Sequence, residues 1–319
     1  MKVLISGGCG YIGSVLCHLL SKKKIEYAVL DNLSNSSTNY LPKNTIFYFG
    51  SIQNQNILKK ISREFTPTHI IHLAASIDVN ESEKRKNKYF KNNVAYSKKF
   101  LNYFISKGIK NIFFSSTAAV YAYNRSKIYE NNITKPVNYY GYTKLLIEKY
   151  LLKKKEKKKF NLKIFRFFNV VGSEINLKSG NSSKKSKHLF NSISYSIKKN
   201  KKFTINGDNY NTKDGTCVRD FIDVQDLVKI IYFFLNNKKK IRETTFNLGI
   251  NKGYSVLEIL KKFQKVLKKN VNYKTGLIRK GDIPELICSN SLLKKYYKFN
   301  FLSLSKTIKN HYNFYESLK

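Results

Sequence analysis

The 319-residue chain has no tryptophan, one methionine, four prolines and fifteen glycines, and its 20 acidic residues face 60 basic ones. Because acidic side chains are so scarce, the formal net charge is +40, which in many proteins indicates a nucleic-acid or anionic-membrane partner. The lysines are nevertheless spread along the whole chain, as are Asn, Ile, Tyr and Phe. We interpret the charge as a drift toward A/T-rich codons, and we expect no specific nucleic-acid partner.

Cysteine is scarce as well, and long apolar runs are missing. Cys9, Cys17, Cys217 and Cys288 lie far apart and lack the spacing of metal ligands. They are typical of reduced thiols, which predicts a cytoplasmic protein with no bound metal. No run of about 18 uncharged apolar residues occurs, so we expect no transmembrane helix and no membrane partner. The 42% apolar content can still build a core in one large or two joined domains.

The first residues have the pattern of a dinucleotide-binding turn. An apolar strand at residues 2–6 runs into Gly7-Gly8-Cys9-Gly10-Tyr11-Ile12-Gly13, and an apolar helical segment follows. Glycines at these spacings allow a tight turn and a close approach of the backbone to a pyrophosphate at the helix start. A second strand ends at Asp31, where a carboxylate can bind the adenosine ribose hydroxyls and repels a 2′-phosphate. The sequence therefore predicts NAD as the cofactor.

Strand and helix patterns alternate through the first half of the chain. Further strand patterns occur at residues 45–49, 68–75, 110–117 and 162–168. This alternation predicts an α/β fold with a doubly wound parallel sheet of the Rossmann type. The later sequence is mixed and predicts a smaller α+β lobe. We expect an NAD-binding domain at 1–170 and a substrate-binding lobe at 171–319, with segments such as 217–250 interleaved with the first domain.

Tyr140 and Lys144 form the most informative pair of residues for chemistry. Residues four apart on a helix share a face, so the Lys144 ammonium would lie near the Tyr140 phenol. A nearby cation stabilises a phenolate and lowers its pKa, which would make Tyr140 a general base. Because both residue types are abundant here, the pair alone could also be two solvated side chains. The dinucleotide turn and the strand end Ser115-Ser116-Thr117 favour the catalytic interpretation, although such hydroxyls can also cap a helix.

With these motifs the chain resembles the extended short-chain dehydrogenases/reductases, and among them the UDP-glucose 4-epimerase family. The resemblance extends from Met1 to about Ser289. The glycine and Tyr/Lys motifs mark only the superfamily, whereas the run Asp214-Gly215-Thr216-Cys217-Val218-Arg219-Asp220 narrows it to the epimerases. Further matching stretches are Asp31-Asn32-Leu33-Ser34-Asn35, Asn92-Asn93-Val94, Arg166-Phe167-Phe168-Asn169, Asn247-Leu248-Gly249 and Arg279-Lys280-Gly281-Asp282.

The resemblance implies an isomerase that interconverts UDP-glucose and UDP-galactose with tightly bound NAD. Tyr140 would take the proton of the sugar 4-hydroxyl while hydride leaves C4, Thr117 would hydrogen-bond that hydroxyl, and the 4-keto sugar would take hydride back on its opposite face. Lys144 would hold the nicotinamide ribose and lower the Tyr140 pKa. The resemblance also implies a homodimer formed by the helices around residues 92–106 and 140–153.

The resemblance assigns binding residues to both ligands. For NAD, besides Tyr140 and Lys144, they are Gly7, Gly10, Tyr11, Ile12, Gly13, Asp31, Asn32, Ser36, Ser51, Ile52, Leu73, Ala74, Ala75, Asn93, Ser115 and Phe168. For the UDP-sugar, besides Thr117, they are Asn169, His188, Leu189, Arg219, Arg279, Asp282 and Leu286. Two arginines suit a diphosphate because guanidinium groups combine charge with bidentate hydrogen bonding.

Five positions depart from the family pattern, and two of them are Val170 and Ala122, which replace a common Pro and a common Gly. Ser51 stands where the family usually has the Asp that holds the adenine amino group, Ile77 replaces a common Lys, and Tyr139 replaces a common Pro. These changes predict a less rigid enzyme with a weaker hold on NAD.

Several alternative functions remain open. Leu286 occupies a position where the family often has a bulky Tyr, so a UDP-N-acetylglucosamine 4-epimerase is one alternative. Another NAD-dependent nucleotide-sugar epimerase or dehydratase is a second one, although Ala118 and Ala119 replace the acid pair that dehydration requires. A non-catalytic nucleic-acid-binding protein on the same fold would have no reason to keep Thr117, Tyr140 and Lys144 together.

Overall fold

The structure is a computed structural model that describes residues 1–123, 127–182, 188–237, 241–278, 282–298 and 300–318. The chain forms two compact units. The first comprises Met1–Ala122, Asn131–Phe167 and Asn237–Phe246, and the second comprises Tyr123–Glu130, Phe168–Asn236 and Asn247–Lys319. In the described part of the chain, no helix combines the length and the apolar character needed to cross a bilayer.

The described residues of both units form short strands and α-helices, which are numbered along the chain. The strands are β1 (Lys2–Ser6), β2 (Glu26–Asp31), β3 (Ile46–Phe49), β4 (His69–His72), β5 (Asn111–Thr117), β6 (Asn161–Phe167), β7 (Asn169–Val171), β8 (Phe203–Asn206), β9 (Val218–Asp223), β10 (Thr245–Leu248), β11 (Gly253–Ser255), β12 (Tyr273–Gly276) and β13 (Glu285–Leu286). The helices are α1 (Tyr11–Lys22), α2 (Gln55–Glu64), α3 (Val79–Lys84), α4 (Lys86–Tyr89), α5 (Ser97–Ser106), α6 (Tyr139–Lys157), α7 (Leu189–Lys198), α8 (Val224–Asn236), α9 (Val256–Leu267), α10 (Ser291–Lys294) and α11 (Leu304–Ser317). A π-helical segment, Phe90–Tyr96, connects α4 to α5.

A seven-stranded sheet forms the centre of the first unit. Its strand order is β10-β6-β5-β4-β1-β2-β3, and β1 to β6 pair in parallel. The order of β1 to β6 is that of a doubly wound dinucleotide-binding sheet. The central strand β1 is covered on both faces, which explains why Val3, Leu4 and Ile5 are apolar without interruption. The predicted fold class is confirmed.

The second unit contains shorter strands and a separate apolar core. Strand β9 pairs with β11 antiparallel and with β7 and β13 in parallel, while β8 pairs with β12. Phe190, Phe221 and Phe263 belong to one buried cluster. Helix α9 begins with a capping box, because Ser255 Oγ accepts from Glu258 N (2.9 Å) and Glu258 Oε2 accepts from Ser255 N (2.8 Å). The sequence pattern of Ser255 and Glu258 predicts this helix start, and it is confirmed.

A buried carboxyl at the end of β9 makes the stability of the second unit depend on pH. Asp223 Oδ1 accepts from Gln225 N (2.8 Å) at the start of α8, and the side chain is 3% exposed. Burial raises the pKa of Asp223 to about 7, whereas an unfolded Asp has a pKa of about 3.9. Between these values the folded protein binds a proton that the unfolded chain releases. Stability therefore falls as the pH rises through this window, and the loss is complete above about pH 7.

The variant Asp223→Asn should increase the free energy of unfolding by on the order of 2 kcal/mol at about pH 8 and change it little at about pH 4. The amide keeps an oxygen that can accept from Gln225 N, and it removes the buried charge. Urea unfolding at both pH values measures the difference. The same substitution at the exposed Asp208 is the control and should give equal effects at both pH values. An Asp223→Asn variant that is less stable at about pH 8 would contradict the assignment.

Candidate active site

In the predicted dinucleotide-binding turn, backbone atoms pack directly against other backbone atoms. A Cβ added at Gly13 would lie 2.6 Å from both Gly7 O and Gly8 Cα, and one added at Gly7 would lie 2.6 Å from Ala74 N. Gly7 also has a φ of +79°, which side chains disfavour. The turn therefore packs on itself and on the segment that follows β4, with no space for side chains at these two glycines.

The start of α1 has the properties of an anion site. The residue before this helix is Gly10, which has no side chain to cap the helix start. The positive end of the helix dipole therefore faces the glycine turn, which favours an anion there. Asp31 is buried at the end of β2, where Oδ2 accepts from Cys9 N (3.0 Å) and Oδ1 accepts from Leu33 N (2.8 Å) and Ser36 Oγ (3.1 Å). These bonds hold the carboxylate beside the glycine turn. The donors of α1 and the acceptors of Asp31 fit a dinucleotide.

Other predicted cofactor residues follow the carboxyl ends of neighbouring strands, where parallel sheets bind ligands. They are Asn32 after β2, Ser51 and Ile52 after β3, and Leu73, Ala74 and Ala75 after β4. Asn93 comes from the π-helical segment. Its Oδ1 accepts from Ser76 N (2.8 Å), and its Nδ2 donates to Ser76 O (2.9 Å) and Thr143 Oγ1 (3.2 Å). Asn93 thus joins the loop after β4 to helix α6.

The first unit brings Thr117, Tyr140 and Lys144 together at the end of β5. The Tyr140 side chain is hydrogen-bonded to Thr117, and Lys144 Nζ donates to Ser115 O (2.6 Å). Helix α6 approaches the turn after β5 so closely that a Cβ on Gly141 would collide with the Ala119 carbonyl oxygen. The contact fixes the first turn of α6, which carries Tyr140, against the strand end that carries Thr117.

The expectation that Lys144 lowers the Tyr140 pKa is wrong for this structure. Burial raises the pKa of Tyr140 to about 12, and the hydrogen bond with Thr117 opposes that rise only in part. Burial also lowers the pKa of Lys144 to about 7, while Glu148 opposes the fall. The ammonium of Lys144 is directed at the Ser115 carbonyl and lies over the Phe114 ring, 4.9 Å from its centroid. The spacing of four residues predicts that Tyr140 and Lys144 share a helix face. It does not predict that both side chains are removed from water.

Two residues of α3 that the sequence analysis missed cap the helix carrying Tyr140. Glu83 Oε1 accepts from Tyr139 N (2.6 Å), and Ser82 Oγ accepts from Tyr140 N (3.1 Å). Asn138 Oδ1 accepts from Gly141 N (2.8 Å). Only Asn138, a common N-cap type directly before the helix, has a local sequence signal. A proline at 139 would carry no N–H, so Glu83 compensates for its replacement by tyrosine.

The contact between Glu83 and residue 139 can be tested with a double-mutant cycle. Glu83→Ala should reduce the free energy of unfolding by about 0.5–1 kcal/mol in the natural background, because an N-terminal N–H loses its acceptor. The same change should have almost no effect in a Tyr139→Pro background, where that N–H does not exist. Urea unfolding of the four proteins gives the coupling energy. Equal costs in both backgrounds would show that Glu83 does not act through this bond.

The second unit gathers four predicted substrate residues around β9. Arg219 lies 3.5 Å from Asp282, measured from a guanidinium nitrogen to Oδ1. Leu286 on β13 is the register partner of Arg219. Asn169 Nδ2 donates to Asp220 O (3.1 Å) on the same strand β9. The arrangement combines an arginine, a carboxylate and an amide within one unit.

The other predicted residues of the second unit lie elsewhere along the chain. His188 is the residue before α7, Leu189 is the first residue of that helix, and Phe168 directly precedes β7. Arg279 lies outside the described residues. The assignment of these side chains to NAD or to a UDP-sugar stays a prediction.

Comparisons with known proteins agree with these motifs. The sequence model of the NAD dependent epimerase/dehydratase family matches residues 3–249. The chain belongs to this family. The matched range contains every predicted catalytic and cofactor residue, whereas the predicted substrate residues Arg279, Asp282 and Leu286 lie beyond it. Membership confirms the superfamily resemblance that the glycine turn and the Tyr140–Lys144 pair indicate.

Individual members of the family are similar over almost the whole chain. A UDP-glucose 4-epimerase of Lactobacillus helveticus is 35% identical over 294 residues, covering 91% of this chain and 89% of the relative. A Stenotrophomonas maltophila UDP-glucose-4-epimerase solved with bound NAD and formylated UDP-arabinopyranose superposes with a TM-score of 0.93 at 27% identity, covering 99% of this chain and 98% of that one. A Bifidobacterium longum UDP-glucose 4-epimerase in complex with NAD+ and UDP gives a TM-score of 0.92 at 27% identity, covering 98% of both chains.

Proposed function

We propose that this protein is an NAD-dependent UDP-glucose 4-epimerase that interconverts UDP-glucose and UDP-galactose. The observation that carries the proposal is the Tyr140–Thr117 hydrogen bond beside Lys144, in the unit that also contains the glycine turn and Asp31. Relatives named UDP-glucose 4-epimerase that align with about nine-tenths of the chain support the choice within the family.

The glycine turn, the start of α1 and Asp31 would hold NAD. A backbone contact that excludes side chains and a helix start without a side-chain cap both suit a pyrophosphate. Asp31, buried and fixed by three hydrogen bonds, suits ribose hydroxyls. NAD, when bound, supplies the acceptor for the hydride of the sugar C4 and a positive charge that favours the phenolate form of Tyr140.

The side chains of the first unit handle the proton. Tyr140 takes the proton of the sugar 4-hydroxyl and returns it at the end of the cycle, which is general base and acid catalysis by one group. Thr117, hydrogen-bonded to Tyr140, aligns that hydroxyl. Lys144 provides a cation next to the reacting groups, and Ser115 O orients it. Because Ala118 and Ala119 carry no acid, we do not extend the proposal to dehydration.

The residues around β9 would hold the UDP part of the substrate. Arg219 supplies positive charge for the diphosphate, and Asp282 fixes the guanidinium by an ion pair of 3.5 Å. Asn169 supplies an amide, and Leu286 borders Arg219 on the neighbouring strand. A leucine leaves more room than a tyrosine for a 2-acetamido group, so UDP-N-acetylglucosamine is the second candidate substrate.

The test is turnover by the purified protein with added NAD on UDP-galactose and UDP-N-acetylgalactosamine in parallel, with products separated by chromatography. We expect UDP-glucose from the first substrate. Conversion of both substrates would identify Leu286 as a permissive residue, and Leu286→Tyr should then abolish only the second activity. Conversion of neither substrate by protein that retains NAD would refute the proposed function.

A homodimer and a cytoplasmic location complete the proposal. Phe90 in the π-helical segment and Tyr142 and Leu152 on α6 are apolar or aromatic side chains that are 42%, 45% and 39% exposed. Exposed side chains of this kind on long helices are typical of an interface between subunits. The four cysteines are free thiols, as expected in a reducing compartment.

The variant Leu152→Glu should convert the dimer to a monomer, because it places a charge in the apolar interface. Light scattering on a sizing column measures the mass of both proteins. Ile133→Glu, at a side chain that is 77% exposed outside these helices, is the control and should leave the dimer intact. A wild-type protein that is monomeric at micromolar concentration would contradict this part of the proposal.

A further inference from the structure

A buried ion pair lies behind the proposed catalytic residues. Arg166 on β6 donates to Glu148 on α6 through Nη2 to Oε2 (2.6 Å) and through Nε to Oε1 (3.1 Å). The two side chains are 8% and 2% exposed. An ion pair removed from water in this way gains little net stability over apolar side chains of similar size, so its presence calls for another explanation.

Two further hydrogen bonds connect the pair to the strand end and to the turn after it. Ser116 Oγ donates to Glu148 Oε1, and Arg166 Nη1 donates to Tyr121 Oη (2.8 Å). Ser116 stands between Ser115, whose carbonyl accepts from Lys144, and Thr117, which is bonded to Tyr140. The carboxylate of Glu148 is therefore one residue away from both contacts on β5.

Glu148 lies on α6, the helix that also carries Tyr140 and Lys144. Tyr140, Lys144 and Glu148 follow one another at intervals of four residues on α6, so they lie along one face. Three bonds thus join this face to β5: Tyr140 to Thr117, Lys144 to Ser115, and Glu148 to Ser116. Arg166 fixes the third of them from β6.

We propose that Glu148 and Arg166 are positioning residues for the proposed epimerase: they hold the Tyr140–Lys144 face of α6 in register with Ser115–Thr117, and Glu148 supplies the negative charge behind Lys144. This inference rests on the proposed function. It assigns a role to two residues that are not among the predicted catalytic, cofactor-binding or substrate-binding residues, and it explains why a charged pair is kept where an apolar one would fit.

The charges around Lys144 determine the expected effect on its titration. Burial lowers the pKa of Lys144 to about 7, and Glu148 raises it. His72 on β4 is neutral in this range, because burial and Lys144 lower its pKa to about 3. Tyr140 on α6 is also neutral near pH 7, and Arg166 on β6 stays cationic. Without Glu148, the pKa of Lys144 falls further, and less of it is an ammonium at neutral pH.

The decisive variant replaces both partners by apolar side chains, Glu148→Leu with Arg166→Met, which avoids leaving one buried charge alone. We expect a folded protein whose kcat at about pH 7 is at least about tenfold lower than that of the wild type. We also expect the side-chain nitrogen of Lys144, followed by NMR, to titrate at a lower pH than in the wild type, because Glu148 raises its pKa. The matched control replaces the exposed pair Lys269–Glu316 in the same way and should change neither value.

A second variant separates positioning from charge. Ser116→Ala removes the bond to the strand and leaves the ion pair intact, so kcat should fall about threefold to tenfold with an unchanged Lys144 titration. If the double variant does not fold, Ser116→Ala still tests the positioning role. A folded double variant with wild-type kcat and wild-type Lys144 titration would overturn the inference, as would a Ser116→Ala variant with wild-type kcat. Failure of the proposed function looks different, because the wild type itself would then show no turnover.

Discussion

Replacing Tyr140 by phenylalanine should lower kcat for the interconversion of UDP-galactose and UDP-glucose by about 10²- to 10⁴-fold. The phenol oxygen is the group that we propose to exchange a proton with the sugar, and its side chain is hydrogen-bonded to Thr117. Turnover of UDP-galactose, measured by chromatography at saturating substrate, gives the ratio of kcat values.

The variant should otherwise resemble the wild type. The backbone N–H of residue 140 still donates to Ser82 Oγ, and the ring keeps its place, so thermal stability and the amount of co-purified NAD should change little. Tyr142→Phe, two residues further along α6 at a side chain that is 45% exposed, is the matched control and should stay within about twofold of the wild type. A Tyr140→Phe enzyme with more than about a tenth of the wild-type kcat would remove Tyr140 from the chemistry.

Local sequence patterns predict much of the fold and part of the site. The glycine turn, the strand that ends at Asp31 and the capping box at Ser255 each occupy a few consecutive residues, and each has a physical reason that operates within that stretch. The parallel, doubly wound character of the sheet follows from the alternation of strands and helices, because parallel strands need crossover connections and a helix usually supplies them. These features could therefore be predicted without knowing the rest of the chain.

The contacts that tune the site were not predictable in this way. Glu83 and Tyr139 are separated by 56 residues, and Arg166 on strand β6 reaches Glu148 on helix α6 across 18 residues of sequence, so no short pattern signals either bond. The pKa of Tyr140 depends on how deeply the phenol is buried. The spacing of Tyr140 and Lys144 along the helix gives no information about that burial. Arg166 belongs to the motif Arg166-Phe167-Phe168-Asn169, but the motif does not indicate Glu148 as its partner. The two residues meet only because α6 packs on the sheet.

The variant Gly13→Ala should weaken the binding of NAD by about 10- to 100-fold. The added Cβ would lie 2.6 Å from Gly7 O and from Gly8 Cα, and both are backbone atoms that cannot turn aside as a side chain can. The turn and the start of α1 must therefore separate, which displaces the backbone N–H groups that we propose to bind the pyrophosphate. The NAD content of the purified protein and its affinity for added NAD measure the effect.

A loss of NAD could also follow from general destabilisation, so the control must destabilise the fold elsewhere. Gly108→Ala does this, because Gly108 has a φ of +77° at the end of α5, where an alanine is strained although no atom lies within 4 Å of its Cβ. We expect Gly108→Ala to lower the free energy of unfolding by about 1 kcal/mol and to keep its NAD. If Gly13→Ala retained NAD as well as Gly108→Ala does, the glycine turn would not be the pyrophosphate site, and the assignment of Asp31 to the adenosine ribose would lose its support.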